Sequence, residues 1–222
     1  MIVCKFTKLH AARYMPHLDV MRTLTMALRR TGLSIAYSDG FNPHPLIYFA
    51  PPTPVGTASE CEYFAAATPE PPEAFLKKLN TSLPHGIQIL QSAFAAANPN
   101  LAAACGAAQY EIAFEKPVAL PLKEMLSAKE FEISYLQNGV PITKQVRELI
   151  LDAFGSGKTY RLTLACGNKN LRADRLIAFL LRNNPAPPYF TVTKKRLFTA
   201  NLTDFDTLFF NDSPKKETHE KK

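Results

Sequence analysis

The sequence contains no tryptophan, no long apolar run and no pair of cysteines close together in the chain. No apolar segment approaches the roughly 18 residues that span a bilayer, so we do not expect an integral membrane protein. The first residues also lack an apolar stretch followed by a small-residue cleavage site, so we do not expect secretion. The 222 residues are 46% hydrophobic and 20% charged, which predicts one large or two small folded domains.

The four cysteines are separated by 57, 44 and 61 residues, at Cys4, Cys61, Cys105 and Cys166. These gaps lack the CxxC spacing of zinc ribbons, thioredoxin-type sites and iron–sulfur clusters. The five histidines form neither HxH nor HExxH spacing. We therefore expect no bound metal, no cofactor, and four reduced thiols in a cytoplasmic protein.

Positive charge is concentrated at the two ends of the chain. Residues 1–50 contain six basic and two acidic residues, and residues 155–222 contain thirteen basic and six acidic residues. The segment between them is slightly acidic. With a net charge of +7, this distribution is typical of proteins that bind nucleic acid or another polyanion. Many soluble proteins without such a ligand have similar charge, so charge alone leaves the partner open.

The first half of the sequence predicts the order strand, helix, strand, strand, helix, strand. Pro16 and Gly32 mark the two ends of the first helix, whose apolar residues recur at helical spacing. The expected apolar face of this helix comprises Leu18, Met21, Leu24, Thr25 and Leu28. The other expected elements are strands over 2–8, 33–37, 46–50, 61–67 and 86–90 and a helix over 71–83. This order is that of the ferredoxin-like βαββαβ arrangement.

The second half predicts a similar order. Asn138-Gly139 indicates a hairpin turn, and residues 142–154 fit either a helix or a strand. The other expected elements are strands over 109–114, 130–136, 160–165 and 190–198 and helices over 120–127 and 171–182. We therefore predict an α+β protein with two ferredoxin-like domains in tandem. They would comprise residues 1–95 and 109–210, with a linker over 96–108 and a disordered basic tail over 211–222.

The segment Gly155-Ser156-Gly157-Lys158-Thr159 is similar to the end of a phosphate-binding loop. The full motif needs glycine five residues before Gly157, where this chain has Asp152. A strand follows the segment, whereas a phosphate loop leads into a helix. We therefore interpret it as a hairpin turn.

Polar residues with anion-binding chemistry are concentrated between Pro16 and Pro45. Asp19 and Arg22 are three residues apart on the first helix and can pair. Arg22 and Arg29 are separated by two helical turns, and the Asn42–Pro45 turn carries His44. This segment is either an anion site made of arginine forks and a histidine or an exposed helix face followed by a proline-stiffened turn.

Resemblance to a known family favours a functional segment. The stretch HLDVMRTLTMALRRTGLSIAYSDGFNPHP, followed by PVGTASECEY, resembles the signature of the radical-SAM-linked protein family, a domain of unknown function numbered 2344. The resemblance implies a bacterial cytoplasmic protein that works beside a B12-binding-type radical SAM protein, in a setting of RNA or ribosome modification. This chain has no cluster-binding cysteine triad, so it would be a separate, accessory protein.

Three functions follow from these observations. The first is an accessory subunit that recognises RNA or a ribosomal component for a radical SAM enzyme, with no catalytic residue of its own. Its anion- or RNA-binding residues would be His17, Arg22, Arg29, Arg30, Asn42 and His44, with Tyr37 and Phe41 stacking on bases and Asp19 orienting Arg22. The second is a metal-independent RNA-processing enzyme with His17 or His44 as the base. The third is a structural adaptor that binds its partner through the proline-rich segment.

Overall fold

The computed structural model describes residues 1–210, and those residues form a mixed α/β structure. Most strands belong to one large, mostly antiparallel sheet of eight strands, and a two-stranded hairpin lies apart from it. The strands are β1 (Ile2–Lys8), β2 (Ile47–Phe49), β3 (Ala58–Ala66), β4 (Ile89–Phe94), β5 (Cys105–Phe114), β6 (Glu132–Gln137), β7 (Val140–Gln145), β8 (Ile150–Ser156), β9 (Thr159–Ala165) and β10 (Phe190–Thr199).

The described part of the chain contains six α-helices, five between strands and α6 after the last strand. They are α1 (His17–Thr31), α2 (Pro72–Asn80), α3 (Leu101–Ala104), α4 (Leu122–Ser127), α5 (Ala173–Leu180) and α6 (Phe205–Phe210). Within residues 1–210, none of them is both long and apolar enough to cross a membrane.

The first half of the sheet has the strand order β4-β1-β3-β2, with every neighbouring pair antiparallel. The helix α1 follows β1, and α2 follows β3. The second half repeats this order as β10-β5-β9-β8, again antiparallel throughout. The helix α4 follows β5, as α1 follows β1, and α5 connects β9 to β10. The β6–β7 hairpin is inserted between α4 and β8. The two halves therefore share one layout apart from the inserted hairpin.

A short parallel contact joins the two halves into one sheet. Thr193 of β10 pairs with Ala58 of β3, and Lys194 pairs with Ser59. The predicted linker 96–108 includes the first four residues of β5, and Leu101 within it is buried. The division into two domains stays a prediction, and the predicted tail 211–222 lies outside the described residues.

The central strands β1 and β3 are apolar along most of their length because both of their faces are covered. Ile2, Cys4 and Phe6 pack with residues of α1 and α2 in one core. Val3, on the opposite face of β1, belongs to a second core that contains most of the buried residues of the second half. Since side chains alternate across a strand, a strand covered on both faces loses the alternating pattern.

The helix α1 agrees with its predicted bounds and in part with its predicted face, since Leu24 and Leu28 are buried. The residues that it buries are Val20, Leu24, Ala27 and Leu28, and Leu18 is 63% exposed. The burial pattern 20, 24, 27 and 28 is a helical stripe rotated away from Leu18. Its end at Gly32 is confirmed, since that glycine has the left-handed φ of 62° that favours glycine.

Three local predictions meet different outcomes. The predicted strand 33–37 is wrong, because it is reduced to one isolated bridge between Tyr37 and Pro45. The ambiguous segment 142–154 is extended, with β7 and β8 separated by a short 3₁₀ turn at Arg147–Leu149. The segment 155–159 is confirmed as a hairpin turn, because Ser156 pairs with Thr159 across the β8–β9 hairpin.

The buried face of α1 gives a direct test of the fold. We expect Leu24→Ala to lower the free energy of unfolding by about 2–5 kcal/mol, because it opens a cavity in a fully buried position. Leu18→Ala, the same change on the exposed side of the same helix, should change it by less than about 0.5 kcal/mol. Urea unfolding of both variants checks this. Equal losses would contradict the observed face.

Candidate anion-binding site

The structure confirms the pairing predicted at the start of α1. The Arg22 guanidinium donates to the Asp19 carboxylate at 3.2 Å, and the Arg22 side chain is 75% exposed. Arg29 and Arg30 lie toward the other end of the helix, about 10 Å from Arg22 along its axis. Arg29 is exposed, and Arg30 donates to the backbone carbonyl of Ser82 at 2.8 Å. The arginines of α1 therefore occupy two separate places.

The isolated bridge between Tyr37 and Pro45 closes the predicted turn. The turn lies next to the end of β3 at Ala66 and Ala67. Inside the turn, His44 Nδ1 and Ser38 Oγ are 2.9 Å apart. Phe41 and Asn42 are exposed, as is Tyr37. The Ser38–His44 contact stabilises the turn itself.

His17 lies in a different environment. Its ring packs edge-on against Phe49 at 5.2 Å between centroids, and Phe49 pairs with Phe64 in the interior of β3. His17 therefore shares the start of α1 with Asp19 and Arg22. A single binding face formed by α1 together with Asn42 and His44 stays a prediction.

A buried cluster of charges, formed by Lys8, Glu62 and Lys194, lies where the two halves of the sheet meet. Their exposed fractions are 3%, 5% and 1%. Lys194 Nζ is 2.6 Å from Glu62 Oε1, and Lys8 Nζ donates to the Thr53 carbonyl at 3.4 Å. Because one carboxylate faces two lysines, the cluster has more positive than negative groups.

Burial and neighbouring charges act in opposite directions on these groups. Burial alone would lower the pKa of Lys194, but the attraction of Glu62 outweighs it and raises that pKa above its usual value. For Lys8 burial dominates, so its pKa is lowered although Glu62 opposes the shift. Burial also lowers the pKa of His17, with Lys8 adding to the effect and Glu62 opposing it. His17 is therefore an electrostatic neighbour of the buried charge cluster.

Sequence reasoning did not single out Lys8 and Lys194, and it quoted Glu62 only as part of a motif. The alternation of side chains along β10 indicates that Lys194 is buried. Val192, two residues earlier, lies on the same face of the strand and is also buried. That alternation places Lys194 inward and Lys195 outward. A lysine at an inward position of a strand needs a buried partner.

A basic groove lies in the second half. Lys129 precedes β6, Lys144 lies in β7, and Lys169 lies in the loop after β9. Together with Glu130 and Glu148 they line a groove of about 480 Å³. Three separate segments of the chain thus contribute a lysine to the lining of one groove.

The groove has a rigid floor. The Arg147 guanidinium donates to the carbonyls of Leu126, Ala128 and Ile150 at 2.6, 3.2 and 3.0 Å. Lys144 Nζ donates to the carbonyl of Asn170 at 3.2 Å, which ties β7 to the loop after β9. Arg147 is therefore structural, and the lysines provide the accessible charge.

The basic groove continues into a second hollow of about 390 Å³. Glu148, Leu149, Asn168 and Lys169 line both. The second hollow reaches Cys166, which also borders a narrow cleft that contains Lys194 and Arg172. In that cleft Arg172 is paired with Asp174 through two hydrogen bonds of 3.0 and 2.5 Å. The loop from Cys166 to Arg172 therefore connects the basic groove to the buried charge cluster.

The chain belongs to the family described as an uncharacterized protein conserved in bacteria (DUF2344), whose model matches residues 1–173. No curated protein matches the chain. The matched region contains Lys8, His17, Glu62 and the whole basic groove, and it ends before β10. Lys194, the ion-pair partner of Glu62, therefore lies outside the matched region.

The buried charge cluster predicts a strong difference between two glutamates on the same strand. Glu62→Gln removes the carboxylate between two buried lysines, so we expect a loss of about 3–5 kcal/mol in the free energy of unfolding. Glu60→Gln removes the partner of Lys195, a pair that remains partly exposed. That variant should lose about 1 kcal/mol or less. Urea unfolding at neutral pH compares them, and similar losses would contradict a structural role specific to the buried pair.

Proposed function

We propose that this protein is an accessory protein without catalytic activity of its own that recognises RNA or a ribosomal component for a B12-binding-type radical SAM enzyme. The observation that supports this most directly is the convergence of Lys129, Lys144 and Lys169 on one groove. Ammonium groups spaced along a groove suit a chain of phosphates, because each can neutralise one charge and release its counterion.

The groove also has features that would limit what it binds. Glu130 and Glu148 stand among the lysines, so a phosphate has to avoid two carboxylates to reach the ammonium groups. Tyr135 of the adjacent hairpin has the Arg175 guanidinium over its ring, 4.2 Å from the centroid. The guanidinium covers one face of the ring, and its own outer face is a plane on which an unpaired base could stack. These features favour single-stranded RNA.

The proposal extends to architecture and location. The strand order repeated in the two halves supports two tandem ferredoxin-like units within the shared sheet. The net charge of +7 and its concentration toward the two ends are consistent with a cytoplasmic RNA-binding protein. The radical SAM partner is proposed from the motif in residues 16–63. The chain's four cysteines lack the spacing that binds such a cluster.

A second candidate function rests on His17. Burial lowers its pKa, so the imidazole is neutral and can accept a proton at neutral pH. Lys8 and Glu62 are its charged neighbours. If the protein cleaves RNA, purified protein should turn over RNA without the partner enzyme, and His17→Gln should abolish that turnover while His44→Gln should not. Absence of turnover in the purified protein favours the accessory role.

The basic groove can be tested with charge-matched variants. We expect Lys129→Ala with Lys169→Ala, two exposed lysines of the groove, to weaken binding of a single-stranded oligouridine by about 1.5–3 kcal/mol for each lysine–phosphate hydrogen bond that is removed. The slope of log affinity against log salt should become shallower by about 1.4, because two cations no longer neutralise phosphates. The control is Lys77→Ala with Lys78→Ala, which removes the same charge from the exposed side of α2. Equal effects of the two double variants would show that net charge, and not the groove, governs binding.

Arg22, at the start of α1, provides a second test of where RNA binds. Arg22→Ala should leave the melting temperature unchanged, because the side chain is exposed and its ion pair with Asp19 lies at the surface. We expect it to weaken RNA binding less than the groove variant, since Asp19 partly neutralises it. A larger loss in Arg22→Ala would place the main RNA contact on α1. Fluorescence anisotropy at several salt concentrations measures all three variants.

A further inference from the structure

Two of the four cysteines differ from the others in their surroundings. Cys4 and Cys61 are fully buried in the two cores, and burial raises the pKa of each thiol. Cys105 and Cys166 both line the hollow of about 390 Å³ that continues the basic groove. Both are buried, with exposed fractions of 7% and 8%, and this hollow is the side from which a small molecule would approach them.

The backbone holds these two cysteines side by side. Cys105 begins β5, and Cys166 directly follows β9, the strand next to β5 in the sheet. The Cys166 amide donates to the Gly106 carbonyl at 2.9 Å. The backbone at Gly167 lies so close to the backbone at Cys105 that a Cβ atom added to the glycine would be 2.7 Å from the Cys105 carbonyl oxygen. Both side chains also belong to the same apolar core.

The charges around the pair favour a thiolate on one member. The hydrogen bond from Cys105 lowers the pKa of Cys166, burial opposes this, and the ammonium group of Lys194 adds to the lowering. The same hydrogen bond raises the pKa of Cys105, and burial adds to it. Because the thiolate is the nucleophile in thiol–disulfide exchange, Cys166 is the attacking group and Cys105 the resolving one.

We propose that Cys105 and Cys166 form a reversible disulfide by exchange with a low-molecular-weight disulfide that enters the hollow. The Cys166 thiolate attacks one sulfur of glutathione disulfide, which breaks its S–S bond and releases one glutathione thiolate. The Cys105 thiol then loses its proton to solvent and attacks the Cys166 sulfur of the mixed disulfide, releasing the second glutathione. Two protein thiols are oxidised and one glutathione disulfide is reduced to two glutathiones. The proposal does not depend on what the basic groove binds.

The experiment treats the full native chain with glutathione disulfide and follows it by intact mass spectrometry and peptide mapping. The expected result is the loss of the two thiol hydrogens, a crosslinked peptide pair that contains Cys105 and Cys166, and full reversal by dithiothreitol. Cys105→Ser should stop the reaction at a single glutathione adduct on Cys166. Cys4→Ser should react as the wild type does.

Peptide mapping of the wild-type chain decides the outcome even where a serine variant fails to fold. A native chain that keeps four free thiols, while the same chain unfolded in urea reacts, would overturn the proposal. A disulfide that includes Cys4 or Cys61 would also overturn it. So would a stable glutathione adduct on native wild-type Cys166 with Cys105 still free, because the resolving step would then be absent.

Discussion

The two halves of the sheet are joined around the buried ion pair between Lys194 and Glu62, within a core to which both halves contribute. The strands β3 and β10 pair through two residues on each strand, so backbone hydrogen bonds contribute little to the join. The side chains around the contact contribute more. Lys194 and Glu62 are almost fully buried, and losing the Glu62 charge would leave two buried lysines without a carboxylate. A second contact between the halves comes from Asp206 of α6, which accepts from Lys5 at 2.5 Å and from Tyr63 at 2.7 Å.

The loop beside this join also carries an exposed lysine of the basic groove. The loop from Cys166 to Arg172 leaves β9 beside Lys194, with Cys166 and Arg172 lining the cleft that contains it. The same loop carries Lys169 into the basic groove, where β7 is tied to it through Lys144. This loop therefore borders the buried charge cluster and carries an exposed lysine of the basic groove.

Much of the fold follows from local sequence. Gly32 and the Asn138-Gly139 turn specify their backbone geometry, and the two prolines at Pro71 and Pro72 mark the start of α2. The face of α1 could not be predicted, because Leu18 and Leu24 are chemically alike and only packing against the sheet selects one of them. The buried role of Lys194 depends on Glu62, 132 positions earlier in the chain. The basic groove likewise needs three segments that only the tertiary structure brings together.

The proposal that the basic groove is the RNA-contact surface is tested most directly by cross-linking in native cells. Ultraviolet irradiation, purification of the chain and mass spectrometry of RNA-linked peptides locate the contact without an assumed RNA target. The account predicts cross-linked peptides from the β6–β7 hairpin and from the loop between β9 and α5. Cross-links confined to the 38–44 turn and the start of α1, or a chain free of RNA, would contradict it.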